Sequence, residues 1–205
     1  VRLEFLGLDT YADVFLNETR ILTADNMFRR WAAEVKPLLK ERGNVLRVYF
    51  HSPINKALPQ YESLPYRYEA WNDQADNGGL DGKKLSPFTR KAGYHYGWDW
   101  GPRLVTSGIW RPVKLQGWNE LRLEDVFHRQ TEVSSEAARV ETQVELDAAA
   151  HVAKAVVTVS DGKRVLGSRS VQLHAGMNRV SVPFTIDHPE LWWCRGMGEP
   201  HLYTF

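Results

Sequence analysis

Hydrophobic and polar residues alternate along most of the chain with a period of two, which is typical of β-strands. Runs of this kind occupy 1–5, 12–16, 20–23 and 43–50. A polar turn, "LNET" at 16–19, separates the second run from the third. These two runs are therefore predicted to pair as a β-hairpin.

Helical periodicity is scarce. A single turn is predicted at 37–40, and a short helix is predicted at 53–64 because Ser52 can cap it and Pro53 suits its first position. The segment 65–93 has no sustained period and is rich in Gly, Asn and Asp. A loop of this length inside a compact domain is usually functional or disordered, so this segment is a candidate for function.

Alternation returns at 108–118 and continues as a second series from 119 to 186, with a turn signal at 161–163. Short strands separated by turns predict a β-sandwich. The chain is therefore predicted to be all-β, with one domain at 1–118 and another at 119–205. Because both ends fall within alternating runs, we expect the chain to be part of a longer protein.

Charge, cysteine content and motifs narrow the function classes. The net charge is +1 with scattered basic residues, which argues against a nucleic-acid partner, and no apolar run approaches the roughly 20 residues that cross a membrane. The single cysteine, Cys194, excludes an intrachain disulfide, and the seven histidines lack metal-ligand spacing. No nucleophile, phosphate-binding or dinucleotide motif is present. We therefore expect no metal, no cofactor and no catalytic residue in this chain.

Tryptophan content is high, at eight residues in 205. Indole faces stack on the C–H faces of sugars, which favours carbohydrate binding, although tryptophan also fills sandwich cores. The densest aromatic stretch is "GYHYGWDWGPR" at 93–103, where every second residue is aromatic: Tyr94, Tyr96, Trp98 and Trp100.

Asp99 lies between two of these indoles. A partly desolvated carboxylate needs a cation or several hydroxyl donors to stay ionised. Either a basic neighbour supplies the charge, or Asp99 accepts hydrogen bonds from vicinal sugar hydroxyls while an indole stacks on the sugar. The residues alone leave both alternatives open, and the basic neighbours are Arg90, Lys91 and Arg103.

Two further motifs have structural interpretations. "GIWRPV" at 108–113 is predicted to be a strand in which Ile109 or Trp110 packs inward, with Pro112 at an edge or bulge. The loop at 190–203 contains adjacent tryptophans, Trp192 and Trp193. One of these indoles is expected to seal its own domain and the other to meet a neighbouring domain.

Four stretches together resemble the N-terminal region of β-mannosidases of glycoside hydrolase family 2: 7–17, 25–31, 90–113 and 190–203. The Trp-Asp-Trp-Gly-Pro run is specific to the β-mannosidase branch, whereas 7–10 and 108–111 are shared more widely in the family. The resemblance covers nearly the whole chain.

The resemblance implies a jelly-roll sugar-binding domain at 1–118, short of its first strands, and an immunoglobulin-like sandwich at 119–205, short of its last strands. It implies a partner, the (β/α)₈ barrel of the same polypeptide, which carries two catalytic glutamates in a retaining exo-β-mannosidase. Without that barrel, this chain is expected to be inactive on its mannose-containing oligosaccharide.

The same resemblance implies roles for individual residues. Asp99 would hydrogen-bond hydroxyls of the terminal mannose, and Trp98 would wall the non-reducing end. Trp100, Tyr96 and Arg90 would support them. Three alternatives stay open at this point: a stand-alone carbohydrate-binding module, another family 2 glycosidase such as a β-galactosidase or β-glucuronidase, and a protein-interaction sandwich.

Overall fold

The computed structural model describes every residue except Asp99, and describes Asn77 and Gly78 by their backbone alone. β-Strand is the predominant regular structure in the described chain, as the alternating pattern predicts. The chain divides into two compact units, Val1–Gly117 and Trp118–Phe205, which are described separately below.

The first unit contains two three-stranded antiparallel sheets, ordered β5-β1-β8 and β4-β3-β6, and a short pair, β2 with β7. The strands are β1 (Arg2–Phe5), β2 (Leu8–Asp9), β3 (Tyr11–Leu16), β4 (Thr19–Asp25), β5 (Trp31–Glu34), β6 (Leu46–Phe50), β7 (Gly108–Ile109) and β8 (Val113–Gln116). β3 pairs with β4 across the turn at 17–18, which confirms the hairpin.

The core of the first unit follows from the period of two. Leu3 and Phe5 on β1 share one buried cluster with Ala12, Val14 and Leu16 on β3. Successive side chains of a strand point to opposite faces, so each strand contributes alternate residues to the core. The two larger sheets therefore pack face to face as a sandwich.

The long connection between β6 and β7 contains the α-helix α1 (Pro53–Ser63), in which the Ser52 hydroxyl accepts a hydrogen bond from the Asn55 amide. This confirms the predicted cap. Short 3₁₀ turns occupy Ala75–Gly78, Ser86–Phe88 and Gly93–Tyr96, and another lies at Lys36–Leu38. In the described part of the chain, no helix is long and apolar enough to cross a membrane.

The strand predicted at 108–118 is interrupted, because β7 and β8 are separate elements on either side of Pro112. The prediction that Ile109 or Trp110 packs inward is wrong, because Ile109 is 47% exposed and Trp110 is 41% exposed. One edge of Trp110 is nonetheless held in place. Its indole Nε1–H donates to the Met27 carbonyl at 2.9 Å. A Cβ on Gly7 would lie 2.4 Å from that nitrogen, so only glycine at position 7 admits the ring.

The second unit is built from five long strands: β9 (Leu121–Val133), β10 (Ala137–Ala148), β11 (Val152–Ser160), β12 (Val165–Leu173) and β13 (Gly176–Asp187). One sheet is ordered β13-β10-β9, and β11 pairs with β12. Alternate residues of β10 and β13 are buried together with Val159 and Leu173, which is the sandwich that the second series predicts.

The adjacent tryptophans of the second unit, Trp192 and Trp193, are not packed as the sequence predicts. Trp192 and Trp193 remain 58% and 45% exposed, so the expectation that one of them seals its own domain is wrong. The physical reason is local: Trp193 packs against Gly198, where a Cβ would lie within 2.9 Å of the indole, and Trp192 forms a β-bridge with Pro200. The expected contact with a neighbouring domain stays a prediction.

Two phenylalanine substitutions, one buried and one exposed, test the core of the first unit. Phe5→Ala should lower the free energy of unfolding by about 3–5 kcal/mol, because it removes a fully buried ring and leaves a cavity. Phe28→Ala is the matched control, since that ring is 57% exposed. Urea unfolding of both variants measures the difference, and equal losses would contradict the assigned core.

Candidate functional site

The predicted site residues do not share one environment. Trp98 and Trp100 present their indoles to solvent, with 41% and 85% of each residue exposed, whereas Tyr96 is fully buried. The Arg90 side chain is exposed and lines a cavity beside α1. Asp99 lies outside the described residues, so its predicted role stays a prediction.

Trp98 begins a tight reversal of the chain. Its amide donates to the Gly101 carbonyl at 3.3 Å, and the Gly101 amide donates back to the Trp98 carbonyl at 3.2 Å. Two reciprocal bonds between residues three apart fix the width of this turn. These bonds hold Trp98 close to Gly101.

Gln74 holds the base of this turn from outside it. Its amide N–H donates to the Tyr96 carbonyl at 2.9 Å, and its side-chain Nε2 donates to the Trp98 carbonyl. Gly97 lies between these two carbonyls with φ of 106°, and a Cβ there would lie 2.9 Å from Gln74 Cγ. Glycine at 97 thus satisfies both the left-handed backbone and the close approach of Gln74.

Tyr96 fills the space beneath the turn. It forms a buried cluster with Ala57 of α1 and Leu85, and burial raises the pKa of its phenol to about 12. The nearby Thr89 hydroxyl partly offsets this shift, although its geometry with the phenol falls short of a hydrogen bond. Tyr96 therefore supports the turn from below and is not accessible to a ligand.

A buried pair of opposite charges lies against Tyr96. The Arg103 guanidinium is 5.6 Å from the centre of the Tyr96 ring, and Arg103 Nε is 3.5 Å from Asp73 Oδ1. The second oxygen, Asp73 Oδ2, accepts a hydrogen bond from the Ser86 amide at 2.9 Å. This pair links the segment after the turn to the residue that precedes Gln74.

A second buried pair precedes the turn. The Lys91 ammonium donates to both oxygens of Asp9, at 2.6 and 2.5 Å, and to the Thr106 carbonyl at 2.7 Å. An ammonium has three donors, so all are used. The Thr10 hydroxyl also donates to Asp9, and His95 Nε2 is 3.9 Å from the same carboxylate. Burial lowers the pKa of Lys91, and Asp9 opposes that shift.

These pairs bear on the two alternatives for Asp99. Two of its three basic neighbours have other carboxylate partners, since Lys91 binds Asp9 and Arg103 lies against Asp73. Sequence reasoning missed both acidic residues because Asp9 and Lys91 are 82 positions apart, and no local pattern connects them. The burial of a lysine directly before the aromatic stretch is visible only in the folded chain.

The sequence predicts no metal site, and a metal site would need several ligand side chains close together. Among the residues that the structure describes, no group of three or more His, Cys, Asp or Glu side chains could hold a metal ion. The exposed indoles of Trp98 and Trp100 are the feature of this turn that suggests contact with a ligand.

Two family models match this chain, one in each of its two units. A family model described as the glycosyl hydrolase 2 galactose-binding domain-like domain matches residues 1–111, and the model for glycosyl hydrolases family 2 matches residues 121–205. The chain belongs to glycoside hydrolase family 2. This confirms the resemblance and the all-β class of a jelly-roll followed by an immunoglobulin-like sandwich.

Curated family 2 relatives include fungal proteins named β-mannosidase B. The one from Thermothelomyces thermophilus is 37% identical over 97% of this chain, and the one from Aspergillus oryzae is 36% identical over 98%. The matched regions make up 22% and 23% of those proteins. The chain therefore spans less than a quarter of the length of these relatives.

Solved family 2 structures give the same picture. The β-D-mannosidase from Dictyoglomus thermophilum has a TM-score of 0.78 and 34% identity, over 97% of this chain and 23% of that one. A family 2 β-glucuronidase has a TM-score of 0.64 at 17% identity, over 94% of this chain and 19% of its own. At that identity, the second likeness shows the shared fold alone.

The buried Lys91–Asp9 pair gives a stability prediction. Lys91→Met should cost about 3–5 kcal/mol, because the Asp9 carboxylate would remain buried without its cation. Lys83→Met is the control, since Lys83 forms an exposed pair with Glu62 at 3.1 Å and should cost below about 1 kcal/mol. Urea unfolding measures both, and a Lys91 variant as stable as the control would refute the buried pair.

The raised pKa of Tyr96 gives a pH prediction. The unfolded phenol loses its proton near the ordinary value of 10.0, whereas the folded one keeps it to about 12. The folded state then binds more protons than the unfolded state, so this group's contribution to stability falls as pH rises from 10 to 12. Tyr96→Phe should flatten that decline, whereas the exposed-ring control Tyr49→Phe should not. Unfolding measured at several alkaline pH values decides it, and parallel curves for wild type and Tyr96→Phe would rule the shift out.

Proposed function

We propose that this chain is the N-terminal portion of a retaining exo-β-mannosidase. In this proposal, the turn at Trp98 and Asp99 completes the subsite for the terminal, non-reducing β-mannose. The bond is cleaved elsewhere, by two glutamates in a (β/α)₈ barrel of the same polypeptide. The 205-residue chain alone is inactive because it supplies neither glutamate.

The exposed indole of Trp98 carries this proposal. A large aromatic side chain left in solvent forgoes the favourable free energy of burial, so its exposure calls for a ligand or partner. An indole face suits the apolar C–H face of a pyranose. Trp100, which is more exposed still, stands on the same turn and adds a second aromatic surface.

The base of the turn supports the same interpretation. Gln74 binds the carbonyls on both sides of Gly97, and the buried pairs Lys91–Asp9 and Arg103–Asp73 lie before and after the turn. A binding group held by such contacts loses little conformational entropy when a ligand arrives. A carboxylate in this turn could add charged hydrogen bonds to sugar hydroxyls.

The choice of a mannoside rests on the relatives. Proteins named as β-mannosidases are 32–37% identical to this chain across almost its whole length. Family 2 structures named for other sugars, a β-glucuronidase and an exo-chitosanase, fall to 17% and 20%. The sequence similarity therefore favours β-mannose over the other sugars of the family.

The division of labour follows from the chemistry. Retention requires an acid and a nucleophile about 5 Å apart on a rigid frame, and the proposal places both on the barrel. In the proposal, the Trp98 turn, which lies outside the barrel domain, closes one end of the substrate cleft. Only a chain end fits such a closed cleft, so the enzyme would release mannose units one at a time.

Substitution of Asp99 tests the proposal in the enzyme that carries this chain joined to its barrel. Asp99→Ala should lower kcat/KM for p-nitrophenyl β-D-mannoside by about 30- to 1000-fold, equivalent to about 2–4 kcal/mol, because charged hydrogen bonds to the sugar are lost. Steady-state kinetics with the purified enzymes give the measurement.

Asp187→Ala, which removes an exposed carboxylate at the end of β13, is the control and should leave kcat/KM unchanged. Unchanged kinetics in the Asp99 variant, with a normal unfolding curve, would remove Asp99 from the sugar site and return it to a purely structural role.

A further inference from the structure

The first unit contains a cavity whose lining residues do not include the aromatic turn. It has a volume of about 530 Å³ and opens between the end of α1 and the segment at 87–90. Neither Trp98 nor Trp100 lines it. Its polar and aromatic lining includes Gln60, Ser63, Tyr68, Phe88 and Arg90.

The aromatic side of this cavity is fixed by the end of α1. The Arg67 guanidinium donates to the Leu64 carbonyl at 2.7 Å and lies 4.4 Å from the centre of the Tyr61 ring. It thereby satisfies a carbonyl that the helix end leaves free and turns the chain back. Tyr68 then meets Phe88 edge to face, with ring centres 5.7 Å apart.

The polar side is fixed by the main chain of Arg90. Its carbonyl accepts a hydrogen bond from the Met27 amide at 3.0 Å, and the next residue, Lys91, is held in the buried pair with Asp9. The guanidinium therefore extends from a rigid backbone into an exposed position. No carboxylate is among the described residues that line the cavity.

We propose that this cavity is a second saccharide site, which binds a β-mannosyl disaccharide unit independently of the Trp98 turn. The C–H face of one pyranose would lie on Tyr68, and its hydroxyls would bond to the Arg90 guanidinium, the Gln60 amide and the Ser63 hydroxyl. The volume lies within the range of roughly 300–1000 Å³ that is usual for small-ligand sites. The choice of sugar rests on the function proposed above.

Such a site would hold a neighbouring part of a long substrate while the enzyme acts at a chain end. Attachment at two points on one chain raises the effective concentration of the second contact. An open cavity with few apolar walls binds each unit weakly, and we expect a Kd of about 1 mM, which is adequate in this arrangement.

A titration of the ¹⁵N-labelled chain with β-1,4-mannobiose tests the proposal. The amide signals of Tyr68, Thr89 and Arg90 should shift with a Kd of about 1 mM. Tyr68→Ala and Arg90→Gln should each weaken binding about tenfold or more, whereas Trp98→Ala should leave it unchanged. Tyr49→Ala, which removes another exposed tyrosine, is the matched control.

Three results would overturn the second site. The first is the absence of shifts at about 50 mM, well above the expected Kd. The second is that the shifts disappear in Trp98→Ala but persist in Tyr68→Ala. The third is that sodium sulfate displaces the disaccharide and produces the same shifts, which would make the cavity an anion site of Arg90.

The two proposals fail separately. If Asp99→Ala leaves the kinetics of the longer enzyme unchanged while mannobiose still shifts the Tyr68 signals, the function proposed for the turn fails and the cavity remains a saccharide site. If the kinetics respond and the cavity signals do not, the second site fails alone.

Discussion

The ion pair between Lys91 and Asp9 is the constraint on which the aromatic turn of the first unit depends. The pair joins the end of β2 to the residue just before the aromatic stretch, and all three ammonium donors are occupied. Two hydrophobic residues of similar volume would often give equal or greater stability at such a site. The contribution of the pair is therefore geometric, because charged partners accept far fewer arrangements than apolar ones.

Around that pair, two further sets of contacts fix the turn at different points. Arg103 and Asp73 meet beneath the Tyr96 ring, and Gln74 bonds to the backbone on either side of Gly97. The adjacent residues Asp73 and Gln74 supply one side of these contacts, and the segment 96–103 supplies the other, both within the long connection between β6 and β7. The irregular connection is thus ordered by buried polar contacts instead of by a sheet or a long helix, which explains why it shows no sequence period.

Features formed by residues close in sequence could be predicted, whereas contacts between residues far apart in sequence could not. Alternation at β3, β10 and β13 and the cap at Ser52 are local features, so the sequence reveals them directly. The partners of Lys91 and Arg103 depend on which distant segments meet, so proximity to Asp99 in sequence does not reveal them. The bridge between Trp192 and Pro200, eight residues apart, is likewise not signalled by the alternation of hydrophobic and polar residues.

The double attachment of Gln74 also limits how the chain can vary. Its main-chain amide and its side-chain amide donate to carbonyls only two residues apart. Gln74 and the turn are therefore held rigidly together. Of the residues between them, Leu85, Ser86 and Lys91 are held by buried contacts of their own. A substitution at Gln74 would therefore act first on the carbonyls at 96 and 98, and through them on the Trp98 indole.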